Sequence, residues 1–275
     1  MSNIAQNRRN RRLKRFGLLL IFLYVMMGSI LYYFQEKMLF LPTVLPENHV
    51  FEFKHDFEEF FLETDDNAII NSLLFKAEQP RGAILYFHGN AGDLQRWGRI
   101  VEYLVDLNYD VYIMDYRTYG KSKGELSEAA MYNDAKLCYN HLRTFWNEDQ
   151  ITIFGRSLGG AMASYLASEV KVKQLILETP FYSLVDVAKH RFPMFPVKSL
   201  LTYKFPNHEY LKDLTIPITI FHGTNDFVVP YSSGEKLYMS APQENTQFFT
   251  IEEGGHNDLI NFESYKKEIT TLLKH

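Results

Sequence analysis

Gly155-Arg156-Ser157-Leu158-Gly159 stands between a short apolar run, Ile151 to Phe154, and the helix-prone stretch Ala161-Met162-Ala163-Ser164-Tyr165-Leu166-Ala167. Few architectures satisfy that order, because a buried strand must turn sharply into a helix with glycines at the bend. Lacking Cβ atoms, the glycines let strand and helix crowd together, while the serine between them takes a strained backbone conformation and projects its hydroxyl outward. The pentapeptide alone arises by chance in loops; its flanks make it an elbow here.

The chain around the elbow alternates between the two periods. Phe57 to Thr64 and Ala68 to Phe75 read as strands joined by the turn Asp65-Asp66-Asn67. Ala83 to Phe87, Val111 to Met114, Ile151 to Phe154, Leu175 to Leu177, Ile218 to Phe221 and Phe248 to Ile251 read as further strands. Helical faces lie between them: Leu94, Trp97, Ile100, Val101, Leu104 and Val105, then Met131, Ala135, Cys138, Leu142 and Phe145, and at the end Phe262, Tyr265, Ile269 and Leu272. The alternation predicts an α/β fold, a mainly parallel sheet with helices on both faces and the opening hairpin antiparallel at its edge.

Gly17 to Phe34 is an uncharged apolar run of eighteen residues. At about 1.5 Å per residue it can cross the hydrocarbon of a thin bilayer, and it ends in Tyr32-Tyr33-Phe34, an aromatic belt with no small-residue cleavage site. The expectation is an uncleaved N-terminal transmembrane helix. Arg8, Arg9, Arg11, Arg12, Lys14 and Arg15 precede it, with no acid among the first fifteen residues. The positive-inside bias then puts the N-terminus in the cytoplasm and everything after Gln35 outside it, in the periplasm if the source is bacterial. Taking those six from the 29 basic residues leaves 23 against 33 acidic ones, so the body carries −10, which argues against a nucleic-acid surface. The organisation expected is a basic tail and anchor over 1–36, a juxtamembrane connector over 37–56 with the apolar patch Met38-Leu39-Phe40-Leu41, and a catalytic domain over 57–275.

Cys138 is the only cysteine, which rules out a disulfide framework and a Cys-based metal site, and its place in an apolar series predicts a buried core residue. The nine histidines show no metal-ligand spacing, and neither metal nor cofactor is expected.

In open parallel sheets ligands bind beyond the carboxyl ends of the strands. His88-Gly89-Asn90 follows one strand, Asp115-Tyr116-Arg117-Thr118-Tyr119-Gly120 the next, Ser157 the central one, then Asp226 and His256. A serine becomes a nucleophile when an imidazole takes its proton, and the imidazole needs a carboxylate to fix its tautomer. Ser157, Asp226 and His256 supply each part once. Asp258, two residues from His256, competes with Asp226; a separate strand end holds geometry better than an adjacent loop residue, which favours Asp226. His88 and His222 read as histidines anchoring loop backbone.

Through Gly155-Arg-Ser-Leu-Gly159, His88-Gly89-Asn90, Asn225-Asp226-Phe-Val-Val-Pro230 and Gly255-His256, residues 55 to 275 resemble the α/β-hydrolase superfamily. The basic N-terminus, the span, Gln35-Glu-Lys-Met-Leu-Phe-Leu-Pro42 and Asp115-Tyr-Arg-x-Tyr-Gly120 further resemble its membrane-linked abhydrolase-domain group, close to serine-aminopeptidase-like hydrolases. Thr118 departs from that pattern, where the group usually has glycine. The resemblance implies Ser157 as nucleophile, His256 as general base, Asp226 as orienting acid, and the backbone N–H groups of Asn90 and Leu158 as oxyanion hole. Some animal relatives in the group remove palmitate from proteins.

The stretch between Thr179 and Ile218 is too long for an ordinary connection and predicts a short cap insertion at about 180–216. Its Phe192, Met194, Phe195 and Leu201 are candidates to bind an acyl chain, or to pack the cap on the body. The function expected is a membrane-anchored serine hydrolase cleaving an ester or thioester, its partners a lipid-like or small acyl substrate and the membrane. A peptidase or amidase with the same triad, and a non-catalytic binding protein on the hydrolase fold, stand as alternatives; oligomeric state is not legible.

Overall fold

In the computed structural model, which describes residues 2–274, a helix α1 (Ser2–Tyr33) runs into a short α2 (Gln35–Leu39). From Gln6 to Tyr33, α1 is long and apolar enough to cross a membrane, with mean hydropathy 2.0 over its most apolar window and that window unburied. The connector is not a free tether. After α2 comes β1 (Leu41–Pro42), and Phe40 is buried with its ring edge-on to Tyr203 at 4.9 Å.

The body begins with β2 (Phe57–Glu63) and β3 (Ile69–Phe75), an antiparallel pair running from Phe57 opposite Phe75 to Glu63 opposite Ile69. Its turn closes through the Asn67 amide on Thr64 O, with Asn67 at φ 60°, where a short polar side chain is tolerated. Then follow β4 (Ala83–Phe87), β5 (Ala91–Gly92), α3 (Leu94–Asp106), β6 (Asp110–Met114), α4 (Glu128–Leu142), β7 (Ile151–Arg156), α5 (Gly159–Glu169) and β8 (Gln174–Glu178). The cap is α6 (Leu184–Arg191), α7 (Val197–Leu200) and α8 (Asn207–Leu211). The chain closes with β9 (Ile218–Gly223), α9 (Tyr231–Ser240), β10 (Thr246–Ile251) and α10 (Glu263–Lys274).

Eight strands form one sheet in the order β10-β9-β8-β7-β4-β6-β3-β2, parallel except where β3 joins β6 and β2, while β1 pairs with β5 apart from it. Alternation divides the core in two. On β4, Ala83, Leu85 and Phe87 face the layer of α4 and α5, whereas Ile84 and Tyr86 face that of α3 and α10. Cys138 lies buried with Met131, Ala135 and Leu142, as the spacing requires. Phe145 does not share that face: α4 stops at Leu142, and the ring is 44% exposed with Lys76 Nζ 5.0 Å from its centroid. On α10, Tyr265, Ile269 and Leu273 are buried, a turn that places Leu272 at the edge of the core.

Candidate active site

Ser157 leaves β7 at φ 53°, in the left-handed region that costs a side-chain-bearing residue about 1 to 2 kcal/mol. Its neighbours explain why glycine flanks it. A Cβ on Gly159 would lie 1.9 Å from Phe87 O, and one on Gly155 2.5 Å from Ala163 Cβ, so any larger residue would drive helix and strand apart.

Three strand ends converge on the serine. His256 Nε2 lies 2.8 Å from Ser157 Oγ and Nδ1 2.7 Å from Asp226 Oδ2. A carboxylate can only accept, so Nδ1–H donates and Nε2 is left to take the serine proton. Asp226 Oδ1 accepts the amides of Val228 and Val229, both at 2.8 Å, and Oδ2 has His222 Nε2 at 3.3 Å. Burial works against a charge on Asp226, but the hydrogen bonds from His222, His256 and the Val229 amide outweigh it and hold the carboxyl well below the usual carboxylate range. Asp258 is placed otherwise: its Oδ1 accepts the Gly255 amide at 2.7 Å and shapes the loop before His256.

The two backbone amides proposed for an oxyanion hole lie on the loops after β4 and β7, and neither Asn90 N–H nor Leu158 N–H has a protein acceptor among the described residues. The Asn90 side chain is engaged elsewhere, donating to Leu39 O at 3.1 Å. His88, fully buried, donates from Nδ1 to Gly89 O at 2.7 Å. That carbonyl belongs to the same planar peptide as Asn90 N–H, so the bond fixes the direction of the amide. His88 Nε2 is 3.3 Å from Asp115 Oδ1.

Two supports escaped the sequence. Arg156 is braced by Glu178 Oε1 at 3.0 Å, and its Nη2 donates to His256 O at 3.4 Å and Asn257 Oδ1 at 3.3 Å, tying the histidine loop to the nucleophile strand. His222 anchors loop backbone as its sequence reading has it, Nε2 donating to Val229 O at 3.1 Å; what escaped is that the same nitrogen lies 3.3 Å from Asp226 Oδ2. An arginine inside the elbow, in a position with no chemical demand, was the available signal for the first.

A cavity of about 220 Å³ opens beside Ser157 and Leu158. Of the cap candidates, Phe192 and Leu201 line it; Phe195 and Met194 do not. The Phe195 ring stacks on Tyr24 at 4.8 Å, and Met194 is 79% exposed. The cap tip therefore meets α1 and is otherwise uncovered by the chain, and it does not face the serine. Part of the remaining wall comes from α1 and α2, through Leu31, Gln35, Met38 and Leu39, and the rest chiefly from α6, α7 and the loop after β9.

The family model described as serine aminopeptidase, S33, matches residues 78–211. An uncharacterized membrane protein of Saccharomyces cerevisiae is 31% identical over 217 residues, 76% of each chain. The alpha/beta hydrolase domain-containing protein 17C of Mus musculus is 30% identical over 225 residues, 79% of this chain and 68% of that one. Among solved structures, an esterase of Pyrococcus furiosus superposes with a TM-score of 0.67 at 19% identity, covering 84% of this chain and 97% of that one.

Proposed function

Because this chain belongs to the α/β hydrolases, we propose that it is a membrane-anchored serine hydrolase that cleaves a carboxylic ester or thioester through an acyl-enzyme. The observation that carries the reading is the chain of hydrogen bonds from Asp226 through His256 to Ser157, beside free amides at Asn90 and Leu158. His256 removes the serine proton as Oγ attacks the acyl carbon, and the imidazolium formed is stabilised by Asp226. The oxyanion is received by the two amides, and one such donor contributes about 3 to 4 kcal/mol in acyl transfer. His256 returns the proton to the leaving alkoxide or thiolate, and water repeats the sequence to release the acid.

An acyl chain is favoured over a peptide by the pocket wall, to which α1, α2 and the cap contribute mostly apolar side chains, with Gln35 and Arg191 the polar ones. Each buried methylene stabilises the complex by about 0.8 kcal/mol until the pocket is filled. The test is a fluorophosphonate probe on the full chain, followed by acyl esters and thioesters of graded length. Labelling that Ser157→Ala abolishes, with turnover rising over several carbons, is the expected result. A protein that takes no probe is a binding protein on the hydrolase fold; one that cleaves peptides and ignores esters is a peptidase.

A further inference from the structure

Part of the pocket wall belongs to the anchor. Leu31 lies on the last turn of α1, and Met38 and Leu39 on α2, facing Leu200 and Leu201 of the cap across the cavity that opens beside Ser157. This seam is built. Gln35, buried at the break between the helices, donates from Nε2 to Tyr32 O at 2.7 Å and Leu200 O at 3.2 Å, and its Oε1 accepts the Thr202 amide at 2.7 Å. Tyr203 Oη donates to Glu36 Oε1 at 2.8 Å beside it.

A second contact sets the depth. Tyr24 stacks on Phe195 with the rings 2° from parallel, and its Oη donates to Met194 O at 2.9 Å. Gly28 lies against the same ring, where a Cβ would sit in ordinary contact with Phe195 at 3.7 Å. Tyr24 is nine residues before the end of α1 at Tyr33, about 13 Å along a helix axis. A cap tip that touches a membrane-spanning helix so far from its end lies below the bilayer surface. Its chemistry agrees: Phe192 to Val197 carries no charge, Met194 is exposed, and the exposed Lys189, Arg191 and Lys198 flank it in sequence.

We propose that the cap tip is embedded in the membrane against α1, and that the substrate is the acyl chain of a membrane-resident ester or thioester, which reaches Ser157 sideways through the seam between anchor and cap. The proposal rests on the hydrolase reading above and adds to it the source of the substrate and a binding role for the anchor. A chain in the bilayer beside α1 would pass the apolar side chains of Leu31, Met38, Leu200 and Leu201 on its way to the serine, with Gln35 and Arg191 among the polar groups of the wall.

The test uses the full chain in phosphatidylcholine vesicles and a long-chain alkyl fluorophosphonate with a diazirine along the chain. After Ser157 has reacted, light should join the chain to peptides within residues 28–39 and 192–201. Photoproducts confined to α6 and the loop after β9, with none in 28–39, overturn the proposal. A probe that never reacts with Ser157 overturns the hydrolase reading instead, so the two failures are distinct. Independently, Leu31→Trp and Met38→Trp should each lower the ratio of hexadecanoyl to acetyl turnover by about tenfold or more; an unchanged ratio in both overturns the anchor wall.

Discussion

The peptide between Gly89 and Asn90 presents its carbonyl to His88, so a histidine that touches no reacting atom fixes the direction of the amide proposed to receive the oxyanion. His88 is itself held in a buried pair with Asp115, whose carboxyl burial pushes above its ordinary range against the opposing pull of His88. His88→Leu should then lower kcat by on the order of ten- to hundredfold while KM moves little, since the donor acts on the transition state. His88→Asn, which keeps an amide donor near the place of Nδ1, should recover part of the loss; equal damage from both variants would make His88 mere packing. Triad members act as a unit, so Ser157→Ala and His256→Ala should each remove about 10⁶-fold of turnover and the double variant little more. Asp226→Asn should cost about 10⁴-fold. Asp258→Asn should cost far less, because its carboxylate caps Gly255 and does not touch the imidazole. If steady-state kinetics reversed the order of these two, Asp226 would not be the acid.

At the scale of single elements, the turn after β6 carries a conflict between sequence and backbone. The Tyr119 amide closes on Tyr116 O with the third residue, Thr118, at φ 73°, as in a type II turn that asks for glycine there. The exposed threonine bears the steric cost, which explains why a glycine is the usual residue of the resembling group. Thr118→Gly should raise stability by about 0.5 to 1 kcal/mol, read as a higher urea midpoint at constant slope. A lower midpoint would mean that the threonine is held there by something other than the turn. On α4, burial pushes the Cys138 thiol up, so a thiol reagent at mild alkaline pH should modify it only as fast as the chain unfolds.

Those two positions also show what could be read beforehand. The strands, the elbow and the helix around Cys138 were legible because each buries a face and so writes its period into the sequence. Strand ends were less so: β7 continues through Gly155 and Arg156, and β9 through His222 and Gly223, residues without strand propensity that parallel neighbours hold in register. The two-residue β1 and β5 and the four- and five-residue helices of the cap carry too few residues for any period. Composition marked the cap tip as apolar but not which way Phe195 and Met194 point, because that depends on α1, more than 160 residues earlier. Leu31 was hidden for the same reason: a long apolar run looks the same whether it meets lipid alone or lipid and a pocket.

Across the whole molecule, charge is sorted along the axis of α1. Six cations precede the span and Lys37 alone follows closely, a difference that should keep the tail in the cytoplasm and place residues 37–275 on the far side. On the proposed anchoring the membrane would lie over the mouth of the site rather than at the end of a tether, because α2 and β1 are docked: Leu41 N–H donates to Asn90 O and Thr43 N–H to Gly92 O, both at 2.9 Å. The buried native thiol makes orientation simple to measure. Asn10 in the basic tail and Glu244 after α9 are both exposed, so Asn10→Cys and Glu244→Cys each add one reactive thiol against the silent background of Cys138. In sealed vesicles with the outer cell face outward, a membrane-impermeant maleimide should label Glu244→Cys at once and Asn10→Cys only after permeabilisation. The opposite pattern would put the hydrolase domain in the cytoplasm, with the acyl substrate drawn from the inner leaflet.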